Sequence, residues 1–237
     1  MFIIKLANIS IKINNHYNYV YKLCNDYLIN DSNYDIEINI NKDDIEYEKK
    51  IAKETFSLNY LESIAVYRKI TNQLLDYDCF LLHGSILKVD NVAYGFSAPS
   101  GTGKTTHTML WQKLLKDKCV IINGDKPLIR IIDHIPYAYG TPWNGKEGYG
   151  TNTFAALKSL CFLEQAKNNE ISILPKEKIL PKLASQIIIP KDIDALDKTF
   201  NLVNEMLNYT KCYLLKCNMD ISSAELSYNY MKEKIDD

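Results

Sequence analysis

GFSAPSGTGKTTHT, residues 95–108, is the stretch of sequence that decides the predicted fold. Its core, SGTGKTT, is typical of a loop whose backbone N–H groups surround a phosphate, because Gly101 and Gly103 can adopt angles that other residues avoid. Lys104 supplies an ammonium group that can bridge the β- and γ-phosphates, and Thr105 supplies a hydroxyl for Mg²⁺. The stretch therefore predicts a site for a nucleoside triphosphate with its magnesium ion.

The flanks of this loop have the character that such a site requires. An apolar run leads into it, and the residues from Lys104 onward, KTTHTMLWQKLLKD, favour a helix whose positive end faces the phosphates. One position departs from the generic motif, which begins with glycine where this chain has Ala98. The predicted nucleotide-binding residues are Pro99, Ser100, Gly101, Thr102, Gly103, Lys104, Thr105 and Thr106.

Asp125 is the predicted partner of this loop. It lies just past the apolar stretch CVIIN at 119–123, which we expect to be the next strand after the helix. In phosphate-loop proteins an acidic residue after such a strand completes the magnesium site. We therefore predict that Thr105 and Asp125 bind the Mg²⁺ of a nucleoside triphosphate complex.

The composition is typical of a globular protein and argues against a nucleic-acid binder. The 237 residues are 46% hydrophobic and 24% charged, which is enough apolar material for a packed core. The formal net charge of -1 argues against binding nucleic acid through bulk positive charge. The six cysteines form no CxxC pair and are expected to be buried free thiols, with a metal site as the weaker alternative.

The N-terminus, MFIIKLANISIKI, is interpreted as strand and not as a signal peptide, because Lys5 interrupts its apolar run and no cleavage motif follows. No stretch is long enough to span a membrane. We therefore expect a cytoplasmic protein without nucleic-acid or membrane partners, for which a homo-oligomer remains an option.

Two parts are expected along the chain. Residues 1–75 are expected to form a small α+β unit packed on the core, and residues 76–237 are expected to form the nucleotide-binding domain. Within the second part, Asp90-Asn91 between two apolar runs indicates a hairpin. The runs LKSLCFLEQ and EISILP predict a pair of strands, and residues 220–235 predict a closing helix.

Three blocks together resemble the C-terminal domain of HPr kinase/phosphorylase: LLHGS at 81–85, FSAPSGTGKTTH at 96–107 and NGDKPL at 123–128. The loop is also similar to that of ATP-dependent phosphoenolpyruvate carboxykinase, although this chain has no counterpart of the oxaloacetate-binding segments. The HGS, SGTGK and GTPW blocks are similar to those of uncharacterised bacterial HPr-kinase-like proteins. The resemblance covers roughly residues 78–165.

This resemblance implies an α/β fold in which a mixed, parallel-leaning sheet is flanked by helices. It also implies ATP-dependent transfer of the γ-phosphate to a serine-type hydroxyl of a peptide, a protein or a small metabolite. By the same resemblance His83 lies near the phosphates, while Lys104 and Thr105 hold nucleotide and metal. The expected catalytic residues are Asp125, Lys104 and His83.

Gly124 is the main departure from the family pattern, which has two adjacent acidic residues where this chain reads Gly124-Asp125. One acid would bind metal and the other would accept the proton of the substrate. Asp125 could do both, Glu147 could assist, or the protein could be an ATP-binding regulator with weak or no transfer.

The glycine-rich stretch GTPWNGKEGYGTN at 140–152 is the candidate substrate segment. Trp143 offers an aromatic wall, and Lys146 offers a charge for phosphate, while Glu147 is the additional acid. The glycines would allow the stretch to close over substrate as a lid, and an ordinary surface loop is the alternative.

Overall fold

The computed structural model describes residues 1–188, 190 and 192–232. The predicted extensions of the last helix to 235 and of the second unit to 237 thus lie partly outside the described residues. Twelve strands and seven α-helices are present in the described part of the chain. In order they are β1 (Phe2–Leu6), β2 (Ile9–Asn14), α1 (Asn18–Leu23), β3 (Ile36–Asn39), α2 (Lys42–Ile51), α3 (Leu58–Leu74), β4 (Cys79–Leu81), β5 (Ser85–Val89), β6 (Val92–Ser97), α4 (Lys104–Leu115), β7 (Cys119–Asn123), β8 (Leu128–Ile132), β9 (Ile135–Tyr139), β10 (Phe154–Gln165), β11 (Glu170–Ile173), α5 (Lys176–Ala184), α6 (Ile193–Tyr209), β12 (Lys211–Cys217) and α7 (Ile221–Lys232).

The strands form two sheets. A small sheet near the N-terminus has the order β1-β2-β3. A nine-stranded sheet has the order β4-β8-β9-β10-β6-β5-β7, and β12 joins it beside β10 while β11 pairs with β12. The protein is therefore of the α/β class, with a mixed sheet flanked by helices.

The expectation of a parallel-leaning sheet is wrong. Among the described strands of the large sheet only two pairs are parallel, β10 with β6 and β10 with β12. The other pairs are antiparallel, and two of them, β5–β6 and β8–β9, are hairpins with two-residue turns. Asp90 and Asn91 form the turn of the β5–β6 hairpin with φ angles of 48° and 66°, which confirms the predicted turn. Asp133 and His134 form an equivalent turn between β8 and β9.

The predicted pairing of the strands at 157–165 and 170–175 is also wrong. Both strands exist, but β12 lies between them, parallel to β10 and antiparallel to β11. Residues 159–163 of β10 are all buried. The backbone N–H and C=O groups along both edges of this strand therefore need hydrogen-bond partners, which β6 and β12 supply.

Helices cover both faces of the large sheet, and β10 shows the alternation that this requires. Leu160 and Phe162 pack in the core beneath α5 and α6. Cys161 and Leu163 point the other way, into the core beneath α4 and α7. In the part of the chain that the structure describes, no helix has both the length and the apolar character needed to cross a bilayer.

The N-terminal sheet shares its core with the start of the large sheet. Residues of β1, β2 and α3 pack in one apolar cluster with Leu128, Tyr139 and Trp143. Arg130 adds polar ties, donating to the carbonyl of Ala7 at 2.7 Å and to that of Tyr77 at 3.2 Å. The division into units 1–75 and 76–237 stays a proposal. The cluster contains residues from both of these parts of the chain.

The cysteines agree with the expectation of free thiols. All six are free, and all except the half-buried Cys217 are buried. Burial raises the pKa of Cys24 to about 12 and that of Cys119 to about 11, so these thiols stay protonated at neutral pH.

His107 is a residue of α4, and its side chain packs against α7. Its Nε2 lies 3.0 Å from Ser227 Oγ, which also accepts a hydrogen bond from Trp111 Nε1 at 2.8 Å. The Nδ1 atom of His107 is buried and has no hydrogen-bond partner among the described residues. Burial lowers the pKa of His107 from 6.5 to about 4, so the ring is neutral in the folded protein at pH 7.

We expect the free energy of unfolding to fall by about 2 kcal/mol between pH 7 and pH 5 through His107 alone. Between those values the unfolded chain takes up the proton and the folded chain does not, so acid favours unfolding. Urea unfolding of the wild type and of His107→Gln at both pH values measures this difference. The exposed His16→Gln serves as the control, and a full acid loss retained in His107→Gln would contradict the assignment.

Candidate functional site

One cavity of about 690 Å³ gathers most of the residues that the sequence predicts for a site. The residues of the phosphate loop that line it are Ser100, Gly101, Gly103, Lys104, Thr105 and Thr106. The other predicted residues in its lining are His83, Gly124, Asp125, Trp143, Lys146 and Glu147. Pro99 and Thr102 instead line a neighbouring hollow together with Glu164, Gln165 and Lys182.

The loop between β6 and α4 has the backbone of a site built from N–H groups. Gly101 has a φ of 79° and Gly103 a φ of 113°, in the region that side chains disfavour. A Cβ at either glycine would meet nothing within 4 Å, so the space beside both is open. Gly103 is also the N-cap of α4, and no side chain caps this helix. The first N–H groups of α4 are thus available to an anion.

Lys104 is buried at the mouth of this loop, with only 8% of its surface exposed. Its ammonium group donates to the carbonyl of Ala98 at 2.7 Å. Burial lowers the pKa of Lys104, and the negative charge of Asp125 works in the opposite direction. A buried cation with a single neutral acceptor is poised to bind an anion that enters the cavity.

Asp125 lines the same cavity and lies between two basic side chains. His83 Nε2 is 3.2 Å from Asp125 Oδ1, and Lys126 Nζ is 2.7 Å from Asp125 Oδ2. Burial acts to raise the pKa of Asp125, but the hydrogen bond from His83 and the charge of Lys126 outweigh it and hold that pKa well below its ordinary value. Asp125 is therefore a carboxylate across the neutral pH range.

The turn that carries Asp125 is fixed by Asn123 at the end of β7. The side-chain oxygen of Asn123 accepts from the backbone N–H groups of Asp125 and Lys126, at 2.8 and 2.7 Å. Its amide nitrogen donates to the hydroxyl of Thr141 at 2.9 Å. The turn is thereby anchored to the start of the glycine-rich stretch, which sets the direction in which Asp125 points.

Gln186 positions His83 and was not predicted. Its Oε1 lies 3.0 Å from His83 Nδ1, and its backbone carbonyl accepts from the His83 N–H at 2.6 Å. The amide nitrogen of Gln186 donates to Ser185 Oγ, which directs the oxygen toward the ring. Gln186 Oε1 and Asp125 Oδ1 thus lie against the two ring nitrogens of His83. Gln186 and His83 are 103 positions apart, so no local pattern could have paired them.

The glycine-rich stretch closes tightly over Gly124. The Gly124 N–H donates to the carbonyl of Tyr149 at 2.9 Å. A Cβ at Gly124 would come within 3.1 Å of that oxygen and 3.3 Å of the carbonyl of Asn144. The position where the resembled family has an acid is thus packed against backbone.

Glu147 approaches Asp125 from the same stretch. A Cβ placed on Gly145 would meet Asp125 Cγ and Glu147 Oε2 at 3.6 Å each. Both acidic side chains therefore lie beside Gly145, in the lining of the same cavity. An additional carboxylate thus reaches the cavity from a different part of the chain than the family pattern implies.

Trp143 is packed against α3 and is anchored by its ring nitrogen. Its ring stacks on Tyr67 with centroids 4.2 Å apart, and its Nε1 donates to the carbonyl of Ser63 at 3.0 Å. Residues 145–150, by contrast, are exposed. The predicted lid would therefore move only in its exposed middle, and the role of Lys146 and Glu147 there stays a prediction.

The side chains fit a magnesium–nucleotide complex better than a free metal ion. Among the described residues no group of three or more His, Cys, Asp or Glu side chains could hold a metal. Mg²⁺ retains waters readily and is bound in nucleotide sites through one or two protein oxygens together with phosphates. Thr105 and Asp125 line the same cavity and could supply such oxygens.

The sequence and the fold were compared with those of known proteins. No protein-family model matches the sequence, and no curated protein matches it. The fold is similar to the structure of the Hpr(Ser) kinase/phosphatase from Coxiella burnetii, with a TM-score of 0.37 and 8% sequence identity over 63% of this chain and 95% of that chain.

Proposed function

We propose that the protein is an ATP-dependent phosphotransferase that moves the γ-phosphate of ATP to a hydroxyl group. The observation that carries the proposal is that the buried ammonium of Lys104 and the carboxylate of Asp125 line one cavity with the glycine-rich turn at the start of α4. The acceptor is a hydroxyl of a peptide, a protein or a small metabolite.

In the proposed reaction the acceptor oxygen forms a bond to the γ-phosphorus, and the bond from that phosphorus to the β–γ bridging oxygen breaks. ADP leaves with the electron pair, and the proton of the acceptor passes to Asp125. The transition state of phosphoryl transfer is loose, so positioning and charge stabilisation matter more than a strong base. Asp125, which is ionised at neutral pH, is therefore a sufficient proton acceptor in this proposal.

Each residue of the site has a proposed role that follows from its chemistry. The N–H groups of residues 100–106 orient the phosphates, and Lys104 neutralises charge that develops on the transferred group. Thr105 and Asp125 would hold Mg²⁺, which supplies Lewis-acid stabilisation of the phosphate oxygens. His83 keeps Asp125 ionised and oriented, and is in turn oriented by Gln186.

A nucleotide-binding regulator without transfer activity is the second candidate. The observation in its favour is the packing at Gly124, which leaves no room for a second acid at that position unless the neighbouring backbone moves. A regulator of this kind would bind ATP through Lys104 but pass no phosphate to any acceptor.

Incubation with γ-labelled ATP, Mg²⁺ and a cell extract from which small molecules have not been removed separates the two candidates. The phosphotransferase proposal predicts a labelled acceptor, peptide or small molecule, that is not formed by Lys104→Ala. If ATP binds and no acceptor takes up label, the regulator is favoured and the phosphotransferase proposal fails.

Glu147→Gln is expected to lower the rate of transfer by about tenfold to a hundredfold with little change in ATP affinity or stability. The residue is exposed, and its carboxylate neighbours Asp125. Steady-state transfer rates measure the effect, with Glu170→Gln on the distant β11 as the control. An unchanged rate would mean that Asp125 is sufficient and that Glu147 takes no part.

A further inference from the structure

A second cavity of about 300 Å³ adjoins the first. The two share four lining residues, Tyr60, His83, Lys126 and Trp143. His83 and Lys126 are the two groups that bind the Asp125 carboxylate, so the second cavity begins where the proposed acceptor hydroxyl would lie.

One wall of this cavity is a single face of α3. Tyr60, Ile64, Tyr67 and Arg68 follow the spacing that places side chains on one side of a helix. The opposite wall is the segment 185–188, which is joined to the residues before β5 by a bridge between Leu82 and Ile187 and by the hydrogen bond from His83 to Gln186. Trp143, stacked on Tyr67, lies at the junction with the first cavity.

The charged groups in the lining already have partners within the protein. Arg68 Nε is 2.5 Å from Glu48 Oε1, and its guanidinium also lies 3.9 Å from Asp44. Lys126 is paired with Asp125 at 2.7 Å. A charged ligand would therefore find no uncompensated opposite charge at Arg68 or Lys126.

Most of the neutral polar groups are also engaged. The Gln186 amide is used by His83 and Ser185. The Tyr67 hydroxyl donates to the carbonyl of Lys126 at 2.8 Å, and Trp143 Nε1 donates to Ser63. Apart from the exposed Tyr60, what remains accessible is mainly apolar surface, from the aromatic rings and from Ile64, Leu81, Ile187 and Ile188.

We propose that this cavity binds an uncharged aromatic or branched aliphatic group of the phosphate acceptor and so places the neighbouring hydroxyl beside Asp125. Its volume is at the lower end of the range for small-ligand pockets, which suits one such group and not a whole peptide segment. The inference rests on the proposed phosphotransfer function. In this proposal the N-terminal unit determines acceptor specificity, because α3 forms one wall of the cavity.

Binding of small probes tests the inference without ATP. The probes are the amides of N-acetyl-Ser-Phe, N-acetyl-Ser-Leu, N-acetyl-Ser-Asp and N-acetyl-Ser-Lys, together with 2-phenylethanol, and ligand-observed NMR gives their affinities. We expect the Phe and Leu probes to bind at least about tenfold more tightly than the Asp and Lys probes. Comparable binding of 2-phenylethanol would indicate a small-molecule source of the group, and tighter peptide binding a peptide source.

A matched pair of variants locates the binding. Ile188→Asp puts a charge on the wall of the cavity, and Ile173→Asp puts one on exposed β11. We expect Ile188→Asp to weaken the Phe probe about tenfold or more and Ile173→Asp to leave it unchanged, with ATP affinity preserved in both. The inference is overturned if no probe binds, if charged probes bind as well as apolar ones, or if Ile188→Asp has no effect. Selective apolar binding without any phosphate transfer would instead defeat the proposed function alone.

Discussion

Lys104→Ala is expected to lower the affinity for ATP or the rate of phosphate transfer by about a hundredfold or more. The ammonium group is buried and has one neutral acceptor, the carbonyl of Ala98, so its charge is available to the phosphates. Alanine removes that charge and leaves the loop glycines and the helix N-terminus in place. Equilibrium binding of a fluorescent ATP analogue and transfer from labelled ATP measure the two effects separately.

Lys113→Ala is the control for this experiment. Lys113 lies in the last turn of the same helix, α4, and is exposed, so its removal should change neither quantity. Urea unfolding of both variants distinguishes loss of the site from loss of the fold. Undiminished ATP binding and transfer in Lys104→Ala would show that the phosphate site has been assigned to the wrong residues.

Asp125→Asn is expected to reduce the rate of transfer by about a hundredfold to ten-thousandfold while ATP still binds. Asparagine keeps the size of the side chain but cannot take up the acceptor proton, and it no longer balances the charge of Lys126. Single-turnover transfer kinetics measure the effect under saturating ATP.

The exposed Asp117→Asn, in the connection between α4 and β7, controls for the loss of one negative charge. Its rate should equal that of the wild type. A transfer rate in Asp125→Asn within a few-fold of the wild type would exclude Asp125 as the proton acceptor and leave Glu147 as the remaining candidate.

The local parts of this architecture were predictable because their signals lie close together in the sequence. The strand before the loop, the helix that begins at Lys104 and the turn at Asp90-Asn91 each depend on a few adjacent residues. The approach of Asp125 to the loop followed from the order of strand, helix and strand. These features stand in the structure where the sequence predicts them.

Long-range pairing was not predictable in the same way. Nothing near residues 157–173 indicates that β12, which comes some forty residues later, enters between β10 and β11. Gln186 meets His83 only because the segment after α5 bridges to Leu82. The stack of Trp143 on Tyr67 likewise joins two distant parts of the chain. The helical spacing around Tyr67 predicts that its ring is buried, but it does not identify the residue that packs on it.

Gly124 illustrates how the structure changes the meaning of a sequence departure. From the sequence, it is a missing acid. In the fold it is a position where the carbonyls of Tyr149 and Asn144 approach the backbone closely, and the same stretch brings Glu147 near Asp125. We therefore interpret the glycine as part of the contact that holds this stretch over the cavity.

Parallel incubations with γ-labelled and α-labelled ATP test the central proposal most directly. Both contain the wild-type protein, Mg²⁺ and a cell extract, and Asp125→Asn is treated in the same way. Transfer of the γ-phosphate to a hydroxyl predicts an acceptor that is labelled only from the γ position, and only by the wild type. Label carried from the α position, or no labelled acceptor while ATP binds, would contradict the account.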